Sequence, residues 1–141
     1  NQIKSAVDLD SESVAFLHSK CYGWFKTVRQ LLASERLAYV ELSAQEDWPE
    51  GSANIALSTL HSAKGLEFDH VYIIGLDAET TSMGKDDVTE VNDDERLDNL
   101  RRLVAMGVGR ARKTVVIGYR PDATPAVAAF FDPATCKTIN V

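Results

Sequence analysis

Five residues suited to phosphate and sugar contacts lie within nine positions of the chain: Thr59, His61, Ser62, Gly65 and Glu67. Hydroxyl and imidazole groups can donate hydrogen bonds to phosphate oxygens, and a carboxylate can accept one from a sugar hydroxyl. A glycine lets the backbone approach a ligand or adopt a left-handed conformation. Each residue alone is more typical of an ordinary polar loop, but their combination predicts a segment that contacts phosphates.

A second candidate is Arg110, which follows two glycines in the string GVGRAR at residues 107–112. An arginine held between a helix and a core strand projects rigidly from a domain surface. Its guanidinium can then bind a γ-phosphate through two parallel hydrogen bonds. Taken alone, this string favours a solvated basic turn. The polar segment at residues 59–67 is what makes Arg110 a candidate phosphate ligand.

The elements that must position these residues indicate an α/β fold with a mainly parallel sheet. Residues 55–60 and 71–76 are short, rich in β-branched side chains and bounded by turn formers, as in strands that are buried on both faces. Ligands bind outside the carboxyl ends of such strands, so the polar corner between the two runs is expected at a sheet edge. Residues 13–19, 25–33 and 37–42 predict a strand, a helix and a strand, joined by a right-handed crossover.

A second helix is predicted over residues 95–106, where four apolar residues form one stripe: Leu97, Leu100, Leu103 and Val104. Asp93 or Asp94 can cap its start, and the helix is expected to stop near residue 107. A strand at 114–119, a small helix at 126–131 and a last strand at 138–141 complete the prediction.

Composition limits the classes of function. The 141 residues suit one domain, and a hydrophobic content of 45% is enough for a core. A net charge of −6 argues against a protein that coats nucleic acid generally, so any DNA contact must be local. Residues 43–52 are interpreted as a polar connector and residues 77–94 as a flexible acidic loop.

Several common sites and segments are missing from the sequence. No GxxxxGK[ST] phosphate loop is present, so the chain lacks the lysine and hydroxyl pair that holds ATP and magnesium. Cys21 and Cys136 lie far apart without the spacing of a metal site, and they are interpreted as reduced thiols. No apolar run reaches transmembrane length and no signal-peptide pattern is found, which predicts a soluble intracellular protein without membrane contact.

The string TLHSAKGLEF, within residues 58–68, closely resembles motif V of the UvrD/Rep-like superfamily 1 DNA helicases. Residues 100–112 are similar to motif VI of the same family, which is commonly written ERRLxYVxxTRA. This second match is imperfect: Leu100 replaces a glutamate, Ala105 an aromatic residue and Gly109 a threonine. The last two departures lie nearest the helix end that orients Arg110, and Arg110 itself is kept.

The resemblance implies the second, C-terminal RecA-like motor domain of a DNA helicase, over residues 1–141. Its fold is the three-layer α/β fold of P-loop NTPases, here without a phosphate loop of its own. In this family ATP and Mg²⁺ lie in a cleft between two RecA-like domains. The first RecA-like domain of the same polypeptide would hold the magnesium ion, and the implied setting is cytoplasmic DNA repair.

The resemblance also assigns roles to the residues picked out above. Thr59, His61 and Ser62 would contact the backbone of single-stranded DNA. Gly65 and Glu67 would border the nucleotide, where Glu67 would bond the ribose hydroxyls. A sixth residue, Arg110, would be the catalytic arginine finger on the γ-phosphate.

Two alternatives stay open at this stage. One is a helicase-like nucleic-acid-binding or regulatory module that keeps the fold without catalysis, which the motif VI departures and the acidic balance favour. The other is a helicase–nuclease subunit, which only further domains of the parent chain could decide. The leading hypothesis predicts that the chain by itself hydrolyses no ATP, because half of the catalytic residues belong to the first domain.

Overall fold

A five-stranded sheet lies at the centre of the part of the chain that the computed structural model describes, residues 7–19, 24–42, 53–76, 93–120, 122 and 126–139. In chain order the elements are β1 (Val14–His18), α1 (Trp24–Ser34), β2 (Val40–Leu42), β3 (Ile55–Thr59), β4 (Phe68–Ile73), α2 (Asp93–Val108), β5 (Ala111–Ile117) and a 3₁₀ helix (Ala126–Phe130). The strand order is β2-β3-β1-β4-β5, and all neighbouring strands are parallel. The predicted α/β class with a mainly parallel sheet is confirmed.

The central strand β1 is buried along its whole length. Successive side chains of a strand point to opposite faces, and the two hydrophobic clusters of the core follow this alternation. Val14 and Phe16 belong to one cluster, whereas Ala15 and Leu17 belong to the other. The sheet is therefore covered on both faces, which explains the continuous apolar runs of its strands.

Each face of the sheet is covered by one helix. On the first face α1 contributes residues that share one side of a helix, namely Phe25, Val28 and Leu32. On the second face α2 contributes the buried Val104, with Leu97, Leu100 and Leu103 partly buried against the same cluster. The helix, sheet and helix form the three predicted layers, and the predicted apolar stripe of α2 is confirmed.

Gly107, near the end of α2, sets how closely this helix approaches the sheet. A Cβ added at this position would collide with the side chain of Leu60, and it would lie 3.2 Å from Ile73 Cδ1. Leu60 and Ile73 are both fully buried. The close approach of α2 to the sheet therefore depends on a residue without a side chain.

The prediction that β4 starts at residue 71 is wrong: the strand begins at Phe68. The Phe68 N–H donates to the carbonyl of Arg110 (2.8 Å), and Phe68 pairs with Ala111 of β5. Asp69 and His70, which lower the apolar character of this stretch, have polar partners on neighbouring elements. Pairing with β5 thus extends the strand beyond its β-branched core.

Other predicted boundaries also differ. The second strand covers only Val40–Leu42, and α2 already includes Asp93, so the predicted loop ends before it. Ala126–Phe130 forms a 3₁₀ helix, and the predicted final strand is wrong at positions 138 and 139, which have no regular structure. Residues 43–52, 77–92 and 140–141 lie outside the described residues. Among the described residues, neither helix combines the length and apolar content that crossing a bilayer requires.

Candidate functional site

Thr59 and Ser62 form a compact hydroxyl pair at the carboxyl end of β3. The Ser62 N–H donates to Thr59 Oγ1 at 3.1 Å, and the Thr59 hydroxyl donates to Ser62 Oγ at 3.0 Å. Both residues are half-buried, whereas the neighbouring His61 is exposed. The three side chains therefore lie at the carboxyl end of β3, the position predicted for them, and ligands of parallel sheets are expected at such ends.

The polar corner as a whole was expected at one edge of the sheet, and this prediction is wrong for the residues that follow Ser62. Residues 60–67 run back across one face of the sheet and enter β4 at its amino end, because β3 and β4 are parallel. Leu60, Ala63 and Leu66 are buried at a spacing of three residues and fix the segment to the core. The segment therefore connects the carboxyl edge of β3 to the opposite edge of the sheet.

Gly65 adopts a left-handed conformation in this crossing segment, with φ of 90°. A Cβ at this position would have no heavy atom within 4 Å, so the requirement for glycine comes from the backbone dihedral and not from space. Of the two roles predicted for Gly65, the left-handed turn is confirmed.

Glu67 lies at the amino edge of β4 and forms an ion pair that the sequence did not indicate. Nε and Nη2 of Arg112 both donate to Glu67 Oε2, at 3.1 and 3.0 Å. Both side chains are largely exposed. An ion pair of this kind contributes little to folding, and it engages only one of the two oxygens of the Glu67 carboxylate.

Arg110 lies in the turn between α2 and β5, and its backbone is fixed from both sides. Its N–H donates to the Gly107 carbonyl at 3.1 Å, and its own carbonyl accepts the Phe68 N–H. The residue is half-buried, and its Nε is buried without a hydrogen-bond partner among the described residues. A buried guanidinium donor left unsatisfied is costly, which makes Arg110 a candidate for an acceptor that the described residues do not supply.

Glu67 and Arg110 are brought together, whereas the hydroxyl pair is not near them. The hydrogen bond between Phe68 and Arg110 joins the residue after Glu67 directly to the arginine. Thr59, His61 and Ser62 lie at the other end of the crossing segment. Apart from Gly65, which lies within the crossing segment, the predicted site residues thus form two groups on opposite edges of one sheet.

A polar network at the amino edge of β1, β4 and β5 was missed from the sequence. Ser13 N–H and hydroxyl both contact Asp69 Oδ2, at 2.9 and 3.1 Å, across a separation of 56 residues. Lys113 pairs with Glu12 and lies 3.5 Å from Asp69 Oδ1. The available signal was the polar residues that flank each apolar run, because the amino ends of adjacent parallel strands meet.

The charges of this network shift the pKa values of its members. The hydrogen bond from Lys113 lowers the pKa of the Glu12 carboxyl to about 2, helped by the Asp8 N–H and by His70. The hydrogen bond to Glu12 raises the pKa of Lys113. The backbone N–H of Ser13 is the main cause of the lowered pKa of Asp69. The network is therefore ionised at neutral pH and joins three strands beside the turn that holds Arg110.

A shallow apolar cleft lies between α2 and the 3₁₀ helix. Arg101 stacks over the ring of Phe130 at 5.0 Å, and Ala105 lines the cleft where the resembled motif has an aromatic residue. Among the described residues, no group of His, Cys, Asp and Glu is arranged to hold a metal ion.

Comparisons with known proteins agree on one family. The sequence model of the UvrD-like helicase C-terminal domain matches residues 18–121. The chain is 36% identical over 76 residues to the ATP-dependent DNA helicase PcrA of Leuconostoc citreum, covering 54% of this chain and 10% of that protein. It is 35% identical over 77 residues to the ATP-dependent DNA helicase Rep of Buchnera aphidicola subsp. Baizongia pistaciae, covering 55% of this chain and 11% of that protein.

Among solved structures, the C-terminal domain of a possible DNA helicase from Lactobacillus plantarum WCFS1 matches with a TM-score of 0.43 and 18% identity, covering 94% of this chain and 86% of that one. The chain spans about a tenth of the length of the curated relatives named above. The family model matches well over half of the chain and includes both groups of site residues. The chain therefore belongs to the UvrD-like helicase C-terminal domain family.

Proposed function

We propose that this chain is the second motor domain of an ATP-dependent DNA helicase or translocase. It supplies an arginine finger and single-stranded DNA contacts, and the first RecA-like domain of the same polypeptide completes ATP hydrolysis. The observation that carries this proposal is Arg110, held half-buried next to Glu67 with its Nε unsatisfied among the described residues.

The nucleotide side of the proposal concerns Arg110, Glu67 and Gly65. Arg110 stabilises the charge that develops on the γ-phosphate, an effect worth about 10³ to 10⁵ in rate for such fingers. Glu67 accepts hydrogen bonds from the ribose hydroxyls, and Gly65 borders the nucleotide. Magnesium is assigned to the first domain, because the chain has no phosphate loop of its own.

The DNA side concerns Thr59, His61 and Ser62. Their hydroxyl, imidazole and backbone N–H groups can contact phosphate and sugar without reading the bases, so no preference for DNA sequence is expected. The net charge of −6 limits the affinity of the chain alone, because binding to a polyanion then depends on a few local contacts.

Coupling between the two sides follows from the crossing segment 60–67. Its buried residues Leu60, Ala63 and Leu66 make it part of the core, so it moves with the domain. Closure of the cleft on ATP acts at Glu67 and Arg110 and rotates the whole domain, including the hydroxyl pair. Repeated closure and opening governed by the γ-phosphate then moves the DNA contact along the strand.

The second candidate function is a regulatory or nucleic-acid-binding module without catalysis. The departures from motif VI at Leu100, Ala105 and Gly109 favour it. The helix end can accept a side chain at Gly109, where an added Cβ makes only ordinary contacts of 3.5 Å. Restoring threonine at Gly109 is expected to raise ATPase activity of the full-length protein if the motor function is correct, and to change nothing if the module function is correct.

The deciding experiment measures ATP hydrolysis with and without a poly-thymidine oligonucleotide. It compares the chain alone with the full-length protein that carries it, each with Arg110 and with Arg110→Ala. The chain alone is expected to hydrolyse no ATP. The full-length protein is expected to show DNA-stimulated ATP hydrolysis that falls at least about 10³-fold in Arg110→Ala. Arg29→Ala is the matched control, because Arg29 is a surface arginine paired with Glu41 on the α1 side.

Two results would contradict the motor proposal. Hydrolysis by the chain alone would show that the first RecA-like domain is not required. Full activity of the Arg110→Ala protein would show that the arginine is not a finger.

A further inference from the structure

We propose that Arg112 positions the Glu67 carboxylate for the ribose of ATP and thereby sets the preference of the motor for ribonucleotides over deoxyribonucleotides. This inference rests on the proposed function, in which Glu67 borders the nucleotide. It is carried by the geometry of the ion pair, by an irregularity in β5 and by the closeness of both to Arg110.

The ion pair leaves one specific oxygen available. Nε and Nη2 of Arg112 both donate to Oε2 of Glu67, at 3.1 and 3.0 Å. In the part of the chain that the structure describes, no hydrogen bond reaches Oε1. The two donors hold Oε2 toward Arg112, and Oε1 is then the oxygen left to accept from a sugar hydroxyl.

A bulge in β5 places Arg112. Phe68 pairs with Ala111 and His70 pairs with Thr114, so β5 advances by one residue more than β4 between these two pairs. Such bulges redirect side chains and are frequent beside functional sites. Here two consecutive cations reach different carboxylates, since Arg112 bonds Glu67 and the next residue joins the polar network.

The charge of Arg112 also matters for a polyphosphate ligand. An unpaired carboxylate beside the γ-phosphate site of Arg110 would repel the nucleotide, and Arg112 compensates its charge. Arg112 and Glu67 are 61% and 56% exposed, so the pair is weak in the separated domain. Its effect is expected when the cleft closes and water leaves, because interactions between charges strengthen at lower dielectric.

The test is the ratio of kcat/KM for ATP to that for dATP in the full-length protein that carries this domain. The unmodified protein is expected to prefer ATP by at least about tenfold, the lower end for a hydrogen bond to a charged group. Arg112→Ala is expected to lower this ratio at least threefold, and Arg112→Lys to give an intermediate ratio. Glu67→Ala is expected to bring it close to one.

Arg29→Ala is the matched control for loss of a surface arginine. Arg29 also pairs with a carboxylate through Nε and Nη2, but it donates to both oxygens of Glu41, at 2.6 and 2.7 Å, and its side chain is 40% exposed. Its ATP to dATP ratio is expected to equal that of the unmodified protein. If Arg112→Ala fails to fold, Arg112→Gln and Arg112→Lys provide the same comparison.

The outcomes separate this inference from the proposed function. A ratio that falls in Glu67→Ala but stays unchanged in the Arg112 variants overturns the role of Arg112 and leaves the function in place. A ratio unchanged in Glu67→Ala overturns the ribose contact and this inference with it, while the Arg110 experiment still decides the motor function. An equal fall in Arg29→Ala would show a general effect of surface charge and overturn the inference.

Discussion

Gly107→Ala tests whether the close approach of α2 to the sheet holds the two proposed groups of site residues in place. Gly107 is in contact with the segments that carry both groups. On one side, an added Cβ would collide with Leu60, the first residue of the crossing segment. The Gly107 carbonyl also accepts the N–H of Arg110. One added methyl group is therefore expected to shift both the backbone that holds Arg110 and the start of the crossing segment.

The magnitude follows from two opposing terms. The new Cβ overlaps a side-chain atom of Leu60, and it lies 3.2 Å from Ile73 Cδ1 and 3.6 Å from Leu17 Cδ1. All three side chains are fully buried, and overpacking of this kind costs about 1–3 kcal/mol. Replacing glycine in a helix interior by alanine returns up to about 1 kcal/mol, and less near a helix end. A net loss of roughly 1–2 kcal/mol is expected.

The assay is thermal unfolding followed by circular dichroism, together with ATPase activity of the full-length protein. A loss of 1–2 kcal/mol corresponds to a fall in Tm of about 3–8 °C for a domain of this size. Gly109→Ala is the matched control, since its Cβ meets only Ala105 O and Met106 O at 3.5 Å. It is expected to leave Tm unchanged or slightly raised, because it restricts the unfolded chain.

A double variant makes the reasoning refutable. Leu60→Ala removes the atoms with which the new Cβ collides, so the cost of Leu60→Ala with Gly107→Ala should be smaller than the sum of the single costs by about 0.5–3 kcal/mol. Strict additivity, or a Tm of Gly107→Ala at or above that of the unmodified chain, would refute the packing account.

Two further predictions concern the backbone and the polar network. Gly65→Ala is expected to lower the free energy of unfolding by roughly 1–2 kcal/mol, because φ of 90° is strained for a residue with a Cβ; a Tm equal to that of the unmodified chain would contradict this. Because the folded pKa of Glu12 is lowered from 4.5 to about 2, its contribution to stability is fully present above pH 4.5 and is lost as the pH falls toward 2. Tm measured between pH 6 and pH 2 should therefore fall less steeply in Glu12→Gln than in the unmodified chain. Lys113→Met removes the cation of the same pair and should flatten the profile in the same way. Parallel pH profiles for the three proteins would refute the role of the Glu12–Lys113 pair.

Local pattern was sufficient for the elements whose periodicity is strong. The strands at Val14 and Ile55, both helices on the sheet and the parallel sheet itself followed from apolar runs and helical spacing. The pattern of apolar residues gave a wrong strand boundary where a polar side chain is buried and hydrogen-bonded by residues from distant parts of the chain. His70 lies inside β4 although it is polar, because it contacts Thr114 at 2.7 Å and Glu12 at 3.2 Å.

The site shows the same division. The sequence picked out Thr59, Ser62, Glu67 and Arg110 by residue type and spacing, and the resemblance to motifs V and VI rested on contiguous strings. Neither could show that Glu67 is held by Arg112, since this pair depends on the register between β4 and β5 and on one extra residue in β5.

The sequence by itself determined the fold class, the family and the candidate residues, because hydrophobic periodicity and short motifs are local properties of the chain. Only the tertiary structure decided that the polar corner crosses the sheet, with Thr59 at one edge and Glu67 at the other. The physical reason is that parallel strands require the connecting chain to return along the sheet, and which side chains meet at each edge depends on strand order and register.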